Sequence, residues 1–115
     1  MKLSVSNIVA ASLIFSNNKY AKADMDINVA LWFLRNGKAL SEVHELFEVK
    51  RTKVFEEFAI NKEIPDNKLE AFRNELTGYL IEEVDIEVCM ITTKALRDIK
   101  ISPADLSVIM FAISE

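Results

Sequence analysis

His44 is the only histidine of the chain and Cys89 its only cysteine, while Glu82, Glu83, Asp85 and Glu87 form its densest group of carboxylates. Acid–base, nucleophilic or metal chemistry would have to draw on these residues. His44 has Glu48 one helical turn further on, but a metal needs additional ligands, and a Glu-x-x-His spacing does not occur. Cys89 lies in an apolar segment with no base beside it, which describes a buried inert thiol rather than a nucleophile. The 82–87 carboxylates lack the glycine of a calcium-binding loop, and the last two alternate with apolar residues, so a solvated strand edge is the expectation. There is no phosphate-cradling glycine loop, no Gly-x-Ser-x-Gly and no His/Cys pair. The expectation is therefore a non-enzymatic protein with no catalytic, cofactor-binding or metal-binding residues. What remains is binding through apolar anchors. Trp32, Phe33 and Leu34 span about 200° of helical arc, so at least one must turn away from the others. Trp32 is a candidate partner anchor, since tryptophan is enriched at interface centres, and burial beneath residues 1–16 is the alternative. The same two readings apply to Phe111, and with it Met110. Trp32, Phe111 and Met110 are the candidate partner-binding residues.

These side chains need a scaffold, and composition says of what kind. The 115 residues suit a single domain, 1–115, with its own core. Half of them are hydrophobic, which disfavours disorder. Two Gly and two Pro favour long regular helices over a turn-rich sandwich. One cysteine excludes an internal disulfide, in keeping with a reducing cytoplasm. The net charge of −4, with mixed signs, argues against a phosphate-backbone binder. Lys2, the apolar run Ile8–Phe15 and Ala21-Lys22-Ala23 loosely imitate a secretory signal. The run is short, contains Ser12, and is separated from the small residues by Ser16-Asn17-Asn18-Lys19, so it reads as part of the fold. No apolar stretch reaches the roughly 20 residues of a membrane span.

Along the chain, Lys2–Val5 alternates like a short strand. Ser6 or Asn7 then caps a helix to about Phe15 that buries Ile8, Leu13 and Phe15, ending at Asn17-Asn18. The dominant element runs from Asp26 to about Ile60, capped by Asp24 or Asp26. In it Phe33, Leu40, Phe47 and Val54 recur every seventh residue, and Leu34, Val43, Leu46 and Phe58 thicken the stripe. A helix of that length approaches about 50 Å. Gly37 marks either a tolerated glycine or a break. Pro65 keeps Ile64 out of a helix, and Asp66 or Asn67 caps a second amphipathic helix carrying Leu69, Phe72, Leu76, Tyr79 and Leu80. The short 61–67 loop makes the two helices antiparallel neighbours. Residues 84–90 alternate as a strand, with Leu3, Val5, Ile99 and Ile101 as sources of partners. Thr92 or Thr93 caps a turn bearing Leu96. Ser102-Pro103-Ala104-Asp105 starts an apolar terminal helix to Ile113. The expected fold class is α+β, mainly α: an antiparallel helical hairpin with a small β-sheet and an apolar C-terminal helix.

Three passages in this order, Leu46-Phe47-Glu48-Val49-Lys50-Arg51, Phe72-Arg73-Asn74-Glu75-Leu76 running into Glu82-Glu83-Val84-Asp85-Ile86, and Ile101-Ser102-Pro103-Ala104-Asp105-Leu106, resemble a family of small uncharacterised proteins of tailed bacteriophages. The resemblance covers most of residues 20–115. In similar sequences an acidic, glycine-bearing loop follows the long helix, and here Asn61–Asn67 replaces it. The resemblance implies a phage origin and no known catalytic residues; with the long apolar stripe, the expectation is a phage accessory protein acting in the host cytoplasm by protein–protein binding, in virion assembly or self-association. The alternative is an inhibitor of a host enzyme or antiviral effector. The partner is expected to be a protein of phage or host, with no nucleic acid or membrane involved. Apolar helical surface in excess of what one chain can cover points to a homo-oligomer, most simply a two-fold dimer.

Overall fold

The computed structural model describes residues 1–16, 20 and 25–115. Its order is β1 (Lys2–Ser4), α1 (Val5–Ser16), α2 (Ile27–Phe58), α3 (Asp66–Leu80), β2 (Glu83–Asp85), β3 (Ile91–Thr92), α4 (Pro103–Ile109) and β4 (Ile113–Ser114). The chain is mainly helical, with strands of only two or three residues. Asn17, Asn18, Asp24 and Ala21-Lys22-Ala23 lie outside the described residues.

α2 is one unbroken helix of 32 residues. Asp26 caps it by accepting a hydrogen bond from the Asn28 backbone N–H at 2.9 Å. Its heptad stripe Phe33, Leu40, Phe47 and Val54 is buried as the spacing requires. Gly37 does not break the helix. It lies where α1 crosses: a β-carbon there would stand 3.4 Å from Ser16 Oγ and 3.5 Å from the Phe15 carbonyl oxygen. The thickening of the stripe holds only in part. Val43 and Phe58 are half-buried, but Leu34 and Leu46 are exposed, because each sits about 100° round from its buried neighbour, past the edge of the core face. Leu13 is corrected for the same reason. α1 buries Val5, Ile8, Ala11, Ser12 and Phe15, and Leu13 falls on its far side.

α2 and α3 form the hairpin. Phe72 meets Phe55 and Phe58 edge-on, with ring centroids at 6.3 and 6.1 Å, and Lys50 Nζ lies 4.9 Å from the Tyr79 ring centroid. Rising numbers on one helix meet falling numbers on the other, so the pair is antiparallel. Ile60 and Glu63 exchange backbone hydrogen bonds across the turn, with Asn61 and Lys62 both at positive φ. Pro65, not Asp66 or Asn67, occupies the N-cap of α3, with no side-chain capping bond. The expected stripe of α3 faces inward but is only half-buried throughout.

The expected single small sheet is two separate ribbons. β1 pairs antiparallel with β2, Leu3 opposite Val84. β3 pairs parallel with β4, Ile91 opposite Ile113. Ile99 and Ile101 pair with neither strand; Ile99 closes a turn on the Leu96 carbonyl instead. The strand expected over 84–90 stops at Asp85, because beyond Ile86 its backbone groups bond to a side chain. Asn36 donates Nδ2–H to the Cys89 carbonyl at 3.0 Å and accepts from the Cys89 N–H at 2.9 Å. Thr92 caps the 3-10 turn Thr93–Leu96, and Ser102 caps α4 through the Asp105 N–H, with Pro103 in the first turn. α4 ends at Ile109 rather than Ile113, giving way to a 3-10 turn and β4. The segment beyond it pairs with β3, Ile113 opposite Ile91, and the Trp32 indole N–H donates to the Ala112 carbonyl at 3.1 Å.

The core joins α1, the first half of α2, the strands and α4, around an edge-to-face cluster of Phe15, Trp32 and Phe33. The last turns of α2 project from it with α3 alongside. The molecule measures 50 × 27 × 23 Å. Its radius of gyration is 16.9 Å, against about 13 Å for a compact chain of this length.

Candidate protein-binding surface

His44 is drawn into a polar relay between α1 and α2. Its Nδ1 lies 2.6 Å from Ser12 Oγ and its Nε2 3.5 Å from Glu48 Oε1, and Arg51 Nε donates to Glu48 at 3.0 Å. The hydrogen bond and positive charge of Arg51, aided by His44, hold the Glu48 carboxyl below its ordinary value against a smaller opposing effect of desolvation. The order Ser–His–Glu resembles that of a hydrolase triad, but the setting differs. Ser12 is 1% exposed, at the seam between α1 and α2, and its hydroxyl donates to the Val9 carbonyl at 3.0 Å. A substrate carbonyl has no path to that oxygen. The relay tethers one helix to another.

Cys89 is half-buried, held through its backbone by Asn36, at the edge of an open hollow of about 480 Å³ between Arg35, Lys38, Glu42 and Glu87. That volume is in the range of small-molecule sites, but four of the seven described residues that line it are charged, with both signs present. A second hollow, of about 410 Å³, is lined by Tyr20, Met25, Val29, Asp98 and Ile99 among others. Glu82, Glu83, Asp85 and Glu87 are all exposed, alternating with Val84 and Ile86 as the strand reading requires. Among the described residues no group of His, Cys, Asp and Glu is placed to hold a metal ion.

The three candidate anchors separate. Trp32 is 1% exposed, so it is not available as a surface anchor. Residues of α1 cover one side of it through Phe15, and its polar edge is spent on Ala112. Phe111 is half-buried against the core, and Met110 is 51% exposed on the 3-10 turn. The residue of the Trp32-Phe33-Leu34 run that turns outward is Leu34.

Leu34 belongs to a larger surface. Diametrically opposite the buried stripe of α2, at the same helical spacing, stand Ile27, Leu34, Lys38, Glu45, Val49 and Glu56. Ile27 is 71% exposed, Leu34 68% and Val49 54%. Three large apolar side chains thus stand exposed along one face of the helix, with Lys38, Glu45 and Glu56 between and beyond them. Leu46, also exposed, lies at the root of the hairpin beside Phe47, Tyr79 and Val84, where the hollow of about 90 Å³ is too small for a ligand. Sequence reading missed the outer ridge because it searched for aromatic anchors, whereas the signal was a second and weaker apolar series set half a turn from the first. It also missed Asn36, whose signal was a polar residue at a core position between Phe33 and Leu40. No described helix is long and apolar enough to cross a membrane. No protein-family model, curated protein or solved structure matches the chain.

Proposed function

We propose that this chain is a non-enzymatic accessory protein of phage origin that works by binding protein, in virion assembly or by self-association. The observation that carries this reading is the exposed apolar ridge on the outer face of α2, on a helix whose opposite face is fully committed to the core. A rigid, elongated scaffold presents such a ridge without loss of backbone entropy on binding. The net charge of −4 favours protein over nucleic acid as the partner. The site of action is the host cytoplasm.

The test uses phage yield and co-purification from infected cells with the wild-type chain, Leu34→Asp, Val49→Asp and Met110→Asp, alongside His44→Ala and Cys89→Ser. Loss of the bound protein and of function in the first group, with both kept in the second, is the expected result. A folded His44→Ala or Cys89→Ser chain that has lost function would overturn the reading. A host enzyme recovered with the wild type and inhibited by it would move the function from assembly to inhibition.

A further inference from the structure

We propose that two copies of this chain pair through the outer face of α2, antiparallel about a two-fold axis that passes between Ser41 and Glu42. The inference rests on the protein-binding reading above and names the occupant of the ridge as a second copy. About such an axis, facing residues have numbers that sum to 83. Leu34 then meets the second copy's Val49, Lys38 meets its Glu45, and Leu31 meets its Thr52. Ile27 lies along the stem of its Glu56. Every one of these positions is on the face opposite the buried stripe, and all but the half-buried Leu31 are exposed. Two-fold symmetry doubles each contact, so one register yields two apolar pairs and two ion pairs.

The charges favour this arrangement over a parallel pairing and over antiparallel registers one heptad away. A parallel pairing sets Lys38 against Lys38 and Glu45 against Glu45. Sliding the antiparallel pair by one heptad in one direction again opposes Lys38 to itself, and in the other opposes Glu45 to itself. Like charges held face to face cost what opposite charges contribute. Lys38 and Glu45 form no ion pair within the chain among the described residues. The ridge from Ile27 to Glu56 runs for roughly 43 Å at about 1.5 Å per residue. A standard interface takes about 800 Å² from each partner, a tenth of this chain's 8012 Å². The apolar contacts are few, so the pair forms in the micromolar range rather than the nanomolar.

The test is sedimentation equilibrium of the full chain from about 1 to 100 µM, at low and at high salt. The expected mass rises from 13.1 kDa towards twice that value, and Leu34→Asp abolishes the rise. Lys38→Glu and Glu45→Lys each weaken the dimer by about tenfold or more, and the double reversal restores it to within about threefold of the parent. Circular dichroism confirms that each variant keeps its helices. A wild-type monomer across the range overturns the inference. So does a dimer indifferent to Leu34→Asp and to both single reversals. In the first case a foreign protein that binds the wild type and is lost with Leu34→Asp leaves the protein-binding reading standing without this partner. If the wild type neither dimerises nor retains any protein, both fail.

Discussion

Lys62 holds φ at 68° and Asn61 at 54°, between two residues that exchange backbone hydrogen bonds. This is the geometry of a two-residue turn with both central positions left-handed, for which Asn-Gly is the preferred pair. Asn61 fits. Lys62 pays a steric penalty through its β-carbon, of about 1–2 kcal/mol for an L-residue. Lys62→Gly removes it while increasing the freedom of the unfolded chain, so a net stabilisation of about 0.5–1 kcal/mol is expected in urea denaturation. An unchanged or lower midpoint would show that the turn is not strained. Glu48 illustrates the opposite case, a residue stabilised by its neighbours. Its pKa is depressed in the folded chain, first by the Arg51 hydrogen bond and then by the charges of Arg51 and His44. The carboxylate's contribution is therefore complete above the ordinary glutamate range and is lost as the pH falls from that range through the lowered value of the folded chain. With 41% of the side chain exposed the pair is screened, and about 0.3–0.5 kcal/mol is the expected size. Glu48→Gln should cost that much at pH 7 in low salt and nothing in strong acid. A penalty that persists in acid would assign the effect to packing instead.

At the scale of the element, the two glycines separate helix propensity from packing. Gly78 sits on α3 with nothing within 4 Å of where a β-carbon would be, whereas Gly37 on α2 faces the Phe15 carbonyl. Gly78→Ala should stabilise by about 1 kcal/mol, the full propensity difference. Gly37→Ala should yield less, because α1 must accommodate the methyl group, and Gly37→Leu should destabilise. Equal gains from both alanines would mean that α1 does not approach as closely as described. The hairpin has its own expected outcome. Phe47→Ala, at a buried position, should cost about 3 kcal/mol or more, and Leu76→Ala, half-buried, about 1–2 kcal/mol. Elements of this kind were legible in advance. α2 announced itself through a heptad stripe and an Asp cap, and α4 through Ser102-Pro103 with Asp105. The strands were not legible, since two or three residues are too few to show a period, and Ile113 looked like the end of a helix. The tail beyond that helix is held by pairing with β3 and by the Trp32 indole, 80 positions away, and no local signal carries such contacts. The candidate surface was half-legible. That one of Trp32, Phe33 and Leu34 must turn outward followed from helical geometry, but choosing Leu34 required the phase of the core. That phase is set by α1 and the C-terminal tail packing against Trp32.

Taken as a whole, the molecule is uneven. The first half of α2 is enclosed by α1, the strands and the C-terminal segment, with Trp32, Ile8, Leu40, Asn36 and Ile109 all but inaccessible. Its second half packs mainly on α3, with His44 still tied to Ser12 of α1, and no residue of α3 is fully buried. Burial is the main source of stability, so free energy is concentrated at one end of a 50 Å rod. Local opening draws on the least buried units first. The α3 amides should therefore exchange with solvent through an opening that leaves α1 and the first half of α2 protected, rather than only through global unfolding. Trp32→Phe should have the complementary effect. It keeps an aromatic ring in the core but leaves the Ala112 carbonyl without its indole donor, so β4 should lose protection while α3 is unchanged. Hydrogen exchange on the wild type and this variant separates the two ends. Uniform protection across α1, α2 and α3 in the wild type would contradict the uneven distribution of burial, and loss of α3 protection in Trp32→Phe would show that the two ends open as one.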